Sequence, residues 1–165
     1  MSKIAFMFPG QGSQYVGMAQ DFYEQFPESK EIFEKANQVL DFDVEDMCFK
    51  DEANIGITEF TQAAMVTAEC AILRVIQNKG IVPDVCAGLS LGEYPAMVAS
   101  GAMSFEDAVK TTRQRGILMQ EAVPAGEGAM SAVLGMEKEP IEKACEETEG
   151  VVGIANYNCP GQIVI

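Results

Sequence analysis

The chain has 165 residues, 48% of them hydrophobic, and a formal net charge of −14. This length is sufficient for a buried core, and the composition is that of a globular protein, not of a disordered one. The acidic charge argues against binding to nucleic acid or to an anionic membrane surface, because both interactions need a basic patch. We therefore expect a globular protein with no nucleic-acid or membrane partner.

Five cysteines and no histidine occur in the sequence. No two cysteines have the spacing of a zinc motif, so we expect no metal site. An odd number of cysteines within mostly apolar stretches indicates reduced thiols and a cytoplasmic location. The short apolar N-terminal run, which ends at Pro9, does not fit a signal peptide, and no stretch is long enough to span a membrane.

The first half of the chain alternates between apolar runs and turn signals. A buried strand is predicted over Lys3–Phe8, followed by the glycine-rich loop Gly10–Gln14. Apolar residues at helical spacing predict helices within Phe22–Leu40, interrupted at Pro27. Thr61 is predicted to cap a long, mostly apolar helix that ends at Asn78.

A second strand, Asp84–Ala87, is predicted to lead into the motif GLSLGEY, and a helix over Leu91–Ala99 to follow it. Ser104 and Asp107 resemble a capping box that begins a helix running to about Val123. The face of this helix that we expect to be buried consists of Phe105, Ala108, Val109, Thr112, Gly116 and Met119.

The segment Pro124–Gly128 is the predicted boundary between two parts, residues 1–127 and 128–165. The elements predicted after it are a strand over Ala129–Met136, a helix over Pro140–Thr148, a strand over Val151–Ala155, a turn at Asn158–Gly161 and a strand over Gln162–Ile165. This alternation indicates an α/β fold. Because a terminal Ile-Val-Ile strand would leave an apolar edge open, we expect the polypeptide to continue beyond residue 165.

The motif Gly88–Tyr94 has the pattern of a nucleophile elbow with Ser90 at its tip. In such an elbow, a strand turns sharply into a helix, and the flanking Gly88 and Gly92 let the backbone turn without a Cβ clash. The backbone N–H of Leu91 could then stabilise a tetrahedral oxyanion. The bare G-x-S-x-G pattern is also compatible with an ordinary strand–helix turn. The Gly10–Gln14 loop could be a simple glycine turn, or it could form part of the same site as Ser90.

Lys110, Arg113 and Arg115 form the main local cluster of basic residues in this acidic chain. On a helical wheel, Arg113 and Arg115 flank opposite edges of the apolar arc, whereas Lys110 points away. An arginine at this boundary could grip a carboxylate with two parallel hydrogen bonds, or it could cover the core with its stem. Helical geometry does not choose between Arg113 and Arg115, and the cluster could equally be a solvated face.

Several spaced motifs together resemble the malonyl-CoA:acyl carrier protein transacylase family. They are FPGQGSQ, TQAAMVTA, GLSLGEY, RQRGILMQEAVPAGEGAM and NYNCPGQIVI, in family order along nearly the whole chain. The resemblance implies a larger α/β-hydrolase-like subdomain with the start of an inserted, ferredoxin-like small subdomain. It also implies transfer of a malonyl group from malonyl-CoA to the thiol of acyl carrier protein in fatty acid biosynthesis.

The same resemblance implies specific roles. Ser90 would carry the malonyl group as an ester, the N–H groups of Leu91 and Gln11 would form the oxyanion hole, and Arg115 would clamp the malonyl carboxylate. No cofactor or metal is expected, since malonyl-CoA is a substrate. The expected partners are malonyl-CoA, acyl carrier protein and a C-terminal remainder of the enzyme, which would be a monomer when complete.

Two departures from the family pattern affect these expectations. The family commonly has histidine before the nucleophile, where this chain has Leu89, and its catalytic histidine would lie beyond Ile165. The chain by itself is therefore expected to lack a general base and to be inactive. Two alternatives remain at the level of sequence: a patatin-like serine hydrolase, which needs no histidine, and a non-catalytic N-terminal fragment.

Overall fold

The computed structural model describes residues 3–124 and 126–165, which divide into two units, Met1–Ala122 and Val123–Ile165. The predicted boundary segment Pro124–Gly128 begins just after this division, and its Ala125 lies outside the described residues. Helices and strands occur in both units, so the predicted mixed α/β class is confirmed.

Two parallel strands form the sheet of the first unit. Strand β1 (Ala5–Phe8) pairs with β2 (Val85–Gly88) in register from the first residue of each strand to the last. In β1 the side chains of Phe6 and Phe8 are half-buried, whereas Met7 is 82% exposed. One face of this sheet is therefore packed against the protein, and the other is open and apolar.

Three short helices follow β1. They are α1 (Gln20–Gln25), α2 (Pro27–Asn37) and α3 (Val44–Phe49). The predicted interruption at Pro27 is confirmed, because the proline occupies the first turn of α2, where its missing N–H costs no hydrogen bond. Helix α3 was not predicted. It is held at its start by the Asp43 carboxylate, which accepts two backbone N–H groups at 2.9 and 3.0 Å.

Helix α4 (Thr58–Asn78) lies at the centre of the first unit and contributes more buried residues than any other described element. The prediction that Thr61 caps this helix is wrong. Its Oγ1 donates to the carbonyl oxygens of Ile55 and Ile57, at 2.6 and 2.9 Å, and does not accept from the first turn. A hydroxyl can satisfy either role, and here the preceding carbonyls are closer partners.

The elbow segment leads through a 3₁₀ turn (Ser90–Gly92) into α5 (Glu93–Ser100), and α6 (Phe105–Ala122) follows. Ser104 Oγ accepts from the backbone N–H of Asp107 at 3.1 Å, which confirms the predicted cap.

The predicted buried face of α6 is confirmed over Phe105–Gly116 and fails at Met119, which is 43% exposed. Gly116 already packs against Thr58 and Glu59 in the first turn of α4. The later residues of α6 therefore extend past the end of α4, and the apolar face of their last turn has nothing from α4 to pack against.

The second unit contains three antiparallel strands and one helix. They are β3 (Ala132–Leu134), α7 (Lys138–Glu147), β4 (Asn156–Cys159) and β5 (Gln162–Val164), with sheet order β3-β5-β4. Its small core joins Ile141 and Cys145 of α7 to Ile163 of β5.

The predicted strand Val151–Ala155 is wrong, and β4 lies directly after it, at Asn156–Cys159. The tight turn at Pro160–Gly161 determines which residues can pair with β5. They are the mostly polar residues just before the turn, Asn156–Cys159. The predicted turn therefore begins later than expected, since Asn158 and Cys159 belong to β4. Val151 is fully exposed.

All five cysteines are free, and Cys48, Cys70 and Cys145 are buried, as the sequence predicts for reduced thiols. Across the described ranges, no helix has the length and apolar character needed to cross a membrane.

Candidate active site

Ser90 stands at a sharp change of direction between β2 and α5. Its backbone φ of 51° falls in the left-handed region, which a non-glycine residue adopts only with strain of about 1–3 kcal/mol. The side chain of Ser90 is exposed. A strained, exposed serine on a strand–helix turn has the geometry of a nucleophile elbow.

The two glycines of the motif are required by close approach of backbones. A Cβ on Gly88 would lie 2.0 Å from the carbonyl atoms of Gly92, and a Cβ on Gly92 would lie 2.3 Å from the carbonyl oxygen of Phe8. The elbow is thus pressed against itself and against the end of β1. This contact explains the spacing of the G-x-S-x-G pattern in physical terms.

The glycine-rich loop after β1 adjoins the elbow. Leu89 N–H donates to the carbonyl oxygen of Phe8 at 3.1 Å, and a Cβ on Gly10 would lie 2.7 Å from the carbonyl oxygen of Leu89. The two loops that leave the parallel strands therefore meet at one edge of the sheet, which is one of the two arrangements that the sequence left open. Leu89 itself is 51% exposed beside Ser90.

The Arg115 guanidinium reaches the serine. Its Nη2 donates to Ser90 Oγ at 3.1 Å, and its centre lies 5.9 Å from the ring centroid of Tyr94. The approach depends on the next residue, because a Cβ on Gly116 would come within 2.8 Å of the Thr58 carbonyl oxygen. Gly116 thus lets α6 approach α4 closely and brings Arg115 to the elbow.

Arg113 has a different environment. Its guanidinium donates to both carboxylate oxygens of Asp41, at 2.8 and 2.9 Å, and to the carbonyl and side chain of Glu59. The hydrogen bonds from Arg113 hold the pKa of the Asp41 carboxyl below its usual value. Arg113 is therefore a structural ion-pair residue, and Lys110 is exposed on the outer side of α6, so the basic cluster contributes only Arg115 to the elbow.

Gln62 is a site residue to which the sequence had given no role. Its side chain is 1% exposed on α4, its Oε1 accepts from Arg115 Nη1, and its Nε2 donates to Gln11 Oε1 at 2.9 Å. Gln11 Nε2 in turn donates to Thr58 Oγ1 at 3.0 Å. The sequence did contain a signal for this role, because Gln62 lies within an otherwise mostly apolar helix and a buried amide needs polar partners.

This network unites three of the residues singled out in the sequence, Ser90, Gln11 and Arg115. Arginine can only donate hydrogen bonds, so the Gln62 oxygen must face the guanidinium and its NH₂ must face Gln11. The orientation of the guanidinium is thereby coupled to the loop that carries the Gln11 backbone. Leu91, fully buried, occupies the first turn after Ser90, where a backbone N–H has no partner within the helix.

The arrangement can supply a nucleophile, amide donors and a cation, but proton transfer needs a further group. Within residues 3–124 and 126–165, the side-chain hydrogen-bond partner of Ser90 Oγ is Arg115, which cannot accept a proton. The 165 residues include no histidine.

Residues 5–165 match the acyl transferase domain family. The chain belongs to the acyl transferase family. It is 50% identical over 169 residues to the malonyl CoA-acyl carrier protein transacylase of Bacillus subtilis, with all of this chain and 53% of that protein aligned. It is 46% identical to the corresponding protein of Staphylococcus aureus, of which it covers 54%.

Solved structures of acyltransferases share the fold. The malonyl CoA-acyl carrier protein transacylase of Clostridium perfringens superposes with a TM-score of 0.88 at 47% identity, over 99% of this chain and 52% of the other. A malonyl-transacylase in complex with a type II polyketide synthase acyl-carrier protein gives 0.90 at 42% identity, over 99% and 54%. This chain spans about half the length of the relatives it matches.

Proposed function

We propose that this chain provides the nucleophile and the carboxylate-binding residues of a malonyl-CoA:acyl carrier protein transacylase. The observation that carries the proposal is the 3.1 Å contact between Arg115 Nη2 and Ser90 Oγ. In a malonyl thioester, one methylene separates the free carboxylate from the reacting carbonyl. A cation that receives this carboxylate must therefore lie within a few ångströms of the nucleophile, as Arg115 does.

In the proposed reaction, Ser90 Oγ attacks the thioester carbonyl of malonyl-CoA and loses its proton to a base. The tetrahedral oxyanion accepts hydrogen bonds from the backbone N–H groups of Leu91 and Gln11. Collapse breaks the C–S bond, CoA leaves as the protonated thiol, and a malonyl-Ser90 ester remains. The phosphopantetheine thiol of acyl carrier protein then attacks this ester by the same steps and regenerates the Ser90 hydroxyl.

Arg115 gives selectivity in this scheme. It holds the malonyl carboxylate with two parallel charge-assisted hydrogen bonds, exchanging its contact with Ser90 for the substrate. Gln62 fixes the plane of the guanidinium and the position of the Gln11 loop together. A neutral ester, the substrate of a serine hydrolase, would leave this cation without a partner, and this disfavours the patatin-like alternative.

The base in the proposal is a histidine outside these 165 residues, in polypeptide equivalent to the half of the relatives that this chain does not match. Removal of the base from a serine-dependent site costs about 10⁶-fold in rate, so the chain by itself is expected to be inactive. We also propose that the two units correspond to an α/β-hydrolase-like subdomain and part of a ferredoxin-like subdomain. We propose further that the complete enzyme is a cytoplasmic monomer that needs no cofactor. The five free thiols support the reducing location.

The test is the intact mass of this chain after incubation with malonyl-CoA. The chain is measured alone and together with the part of the Bacillus subtilis relative outside the matched region. We expect one malonyl group per chain in the mixture, none with Ser90→Ala, and little transfer from acetyl-CoA. Equal labelling by acetyl-CoA, or an adduct that persists in Ser90→Ala, would contradict the proposal.

A further inference from the structure

The side chain of Gln11 ties the glycine-rich loop Gly10–Gln14 to helix α4. Among the described residues, both hydrogen bonds that connect this loop to α4 are made by the Gln11 amide. Its Nε2 donates to Thr58 Oγ1 at 3.0 Å, and its Oε1 accepts from Gln62 Nε2 at 2.9 Å. The loop lies outside every described helix and strand, so contacts of this kind determine where its backbone lies.

The hydrogen bonds that begin at Arg115 run in one direction. Arginine can only donate, so Gln62 turns its oxygen toward the guanidinium and its NH₂ toward Gln11. The Gln11 oxygen is thereby used as an acceptor, and the NH₂ of Gln11 needs an acceptor of its own. The Thr58 hydroxyl supplies it, because a hydroxyl oxygen can accept whichever way its proton points. Thr58 therefore ends the series of hydrogen bonds that Arg115 begins.

Thr58 offers this acceptor from a well-packed position. It is the first residue of α4, it is half-buried, and its carbonyl oxygen would lie 2.8 Å from a Cβ on Gly116 of α6. A β-branched side chain also has few rotamers to lose. Pairing with Gln11 therefore costs little conformational entropy on the Thr58 side of the hydrogen bond.

We propose that Thr58 is a positioning residue of the acyl transfer, an inference that rests on the function proposed above. The Thr58 hydroxyl holds the Gln11 amide, the amide holds the loop, and the loop presents the Gln11 backbone N–H to the tetrahedral oxyanion. An oxyanion donor is effective when it is already in place, because moving a donor during the reaction costs part of the stabilisation. Thr58 thus acts through Gln11 and takes no direct part in the chemistry.

Loss of the Thr58 hydroxyl should lower the maximal rate of acylation and leave substrate binding intact. Thr58→Val keeps the shape of the side chain but deprives the Gln11 NH₂ of its acceptor. Outright removal of an oxyanion donor costs about 10²–10³ in kcat, so displacement of the donor should cost roughly tenfold. Arg115 keeps its contact with Gln62, so KM for malonyl-CoA and the preference over acetyl-CoA should change less than about twofold.

The first measurement needs no activity. Backbone ¹⁵N order parameters of Gln11 and Gly12 are recorded for this chain and for two variants, Thr58→Val and Thr58→Ser. We expect values near those of rigid backbone, about 0.85, in the wild type and in Thr58→Ser, and a fall toward about 0.6 in Thr58→Val. Equal order parameters in all three proteins would overturn the proposal, as would a loop that is already mobile in the wild type.

The second measurement is the rate of Ser90 acylation by malonyl-CoA, per folded molecule. This chain is mixed with the part of the Bacillus subtilis relative outside the matched region, and malonyl-CoA is varied. Thr58→Ser should stay close to the wild type, because it keeps the acceptor oxygen. Thr67→Val is the matched control on α4, since the Thr67 hydroxyl donates to the Ala63 carbonyl oxygen at 2.8 Å, and it should alter stability alone.

A maximal rate in Thr58→Val equal to that of the wild type would overturn the role of Thr58 and leave the proposed function standing. A wild type that is not acylated would instead contradict the proposed function, and the order parameters would still decide whether Thr58 holds the loop.

A double-mutant cycle tests the route through Gln11. Gln11→Met removes the side-chain amide and keeps the backbone N–H, so it should lower the maximal rate by itself. If Thr58 acts through that amide, Thr58→Val should add less than about twofold in the Gln11→Met background. Losses that multiply in the double variant would show that Thr58 acts by another route and would overturn the assignment.

Discussion

The backbone conformation of Ser90 lowers the stability of the fold but exposes the side-chain hydroxyl. A left-handed φ brings a Cβ close to the following carbonyl, and the surrounding contacts of Gly88 and Gly92 maintain it. The strain is a property of the backbone position and not of the hydroxyl. Removal of the hydroxyl and removal of the Cβ should therefore have separate effects.

We predict that Ser90→Gly is more stable than Ser90→Ala by about 1 kcal/mol, because only glycine adopts this φ without strain. Neither variant should form an acyl adduct. Urea unfolding of the two proteins measures the difference, and the wild type should resemble the alanine variant. A glycine variant no more stable than the alanine variant would show that the elbow is unstrained.

The two arginines of α6 should respond in opposite ways to loss of the guanidinium. Arg115→Lys removes a bidentate grip next to Ser90, so acylation by malonyl-CoA in the mixture proposed above should fall roughly 10–100-fold. Its effect on the midpoint of unfolding should be smaller than that of Arg113→Lys, because Arg115 is partly exposed and a lysine ammonium can still donate to Gln62 Oε1.

Arg113→Lys is the control for that variant. It breaks the paired contact with Asp41, at 2.8 and 2.9 Å, and should lower stability by about 1–3 kcal/mol while acylation per folded molecule stays unchanged. Rates of adduct formation and urea midpoints, measured on both variants, separate the two roles. If Arg113→Lys also slowed acylation of folded protein, the division of roles would be wrong.

Single residues were predicted well where backbone geometry dictates them and poorly where a distant partner does. The glycines around Ser90 follow from the turn itself, so the sequence pattern was sufficient. Gln62 has its role only because Arg115 and Gln11, 53 and 51 positions away in sequence, converge on it. The helical wheel placed Arg113 and Arg115 at the two edges of the apolar arc of α6. Which of them faces the elbow depends on the residues that pack against each edge, and the wheel does not show these.

At the scale of elements, the contact between the elbow and β1 fixes how the first unit assembles. The backbone of Gly92 touches the carbonyl oxygens of Phe8 and Pro9, and Gly88 touches Gly92. These contacts are between main-chain atoms, which cannot move aside as a flexible side chain could. A single methyl group at either position should therefore disturb the turn between β2 and α5.

We predict that Gly88→Ala and Gly92→Ala each lower stability by at least about 3 kcal/mol, since overpacking against a backbone has no cheap relief. Gly56→Ala is the matched control, because a Cβ there meets nothing within 4 Å. It should be neutral or stabilising by up to about 1 kcal/mol. Equal unfolding midpoints for the three variants would contradict the close approach.

The boundaries of helices and strands were predicted correctly where a proline or a capping residue defines them. They were missed where strand pairing defines them. Pro27 and Ser104 act locally, so the starts of α2 and α6 followed from sequence. Strand β4 is polar, and its existence depends on pairing with β5 across the turn at Gly161. The apolar Val151–Ala155 run resembled a strand more closely, yet only its last residue, Ala155, makes a backbone hydrogen bond with β5, where its N–H donates to the Val164 carbonyl oxygen at 2.7 Å.

At the scale of the whole molecule, the buried carboxyl group of Glu69 on α4, which has no hydrogen-bond partner among the described residues, should make stability depend on pH. Burial raises the pKa of Glu69 from 4.5 to about 8. Cys70, the neighbouring titratable group, has its pKa raised above the ordinary thiol value, mainly by burial, and so stays neutral in this range. Residues Ala5–Pro9 line the same groove as Glu69 and have no ionisable side chain. Glu69 is therefore the group whose proton should couple to folding here.

The sign follows from which state holds the proton. Between pH 4.5 and about 8 the unfolded chain has released the Glu69 proton and the folded chain retains it, so the folded state binds more protons. Stability from this group is complete below pH 4.5 and is lost as pH rises toward 8. Each pH unit in this window costs about 1.4 kcal/mol, which amounts to about 5 kcal/mol in total.

We predict that Glu69→Gln removes this loss, since the amide is neutral at every pH. Urea unfolding of both proteins at intervals from pH 4.5 to 8 gives the difference in stability, which should grow with pH in favour of the variant. Repulsion among the other carboxylates, at a formal net charge of −14, affects both proteins alike. It therefore does not contribute to the difference in stability between them. Parallel curves for the two proteins would mean that Glu69 is ionised and solvated in the folded chain.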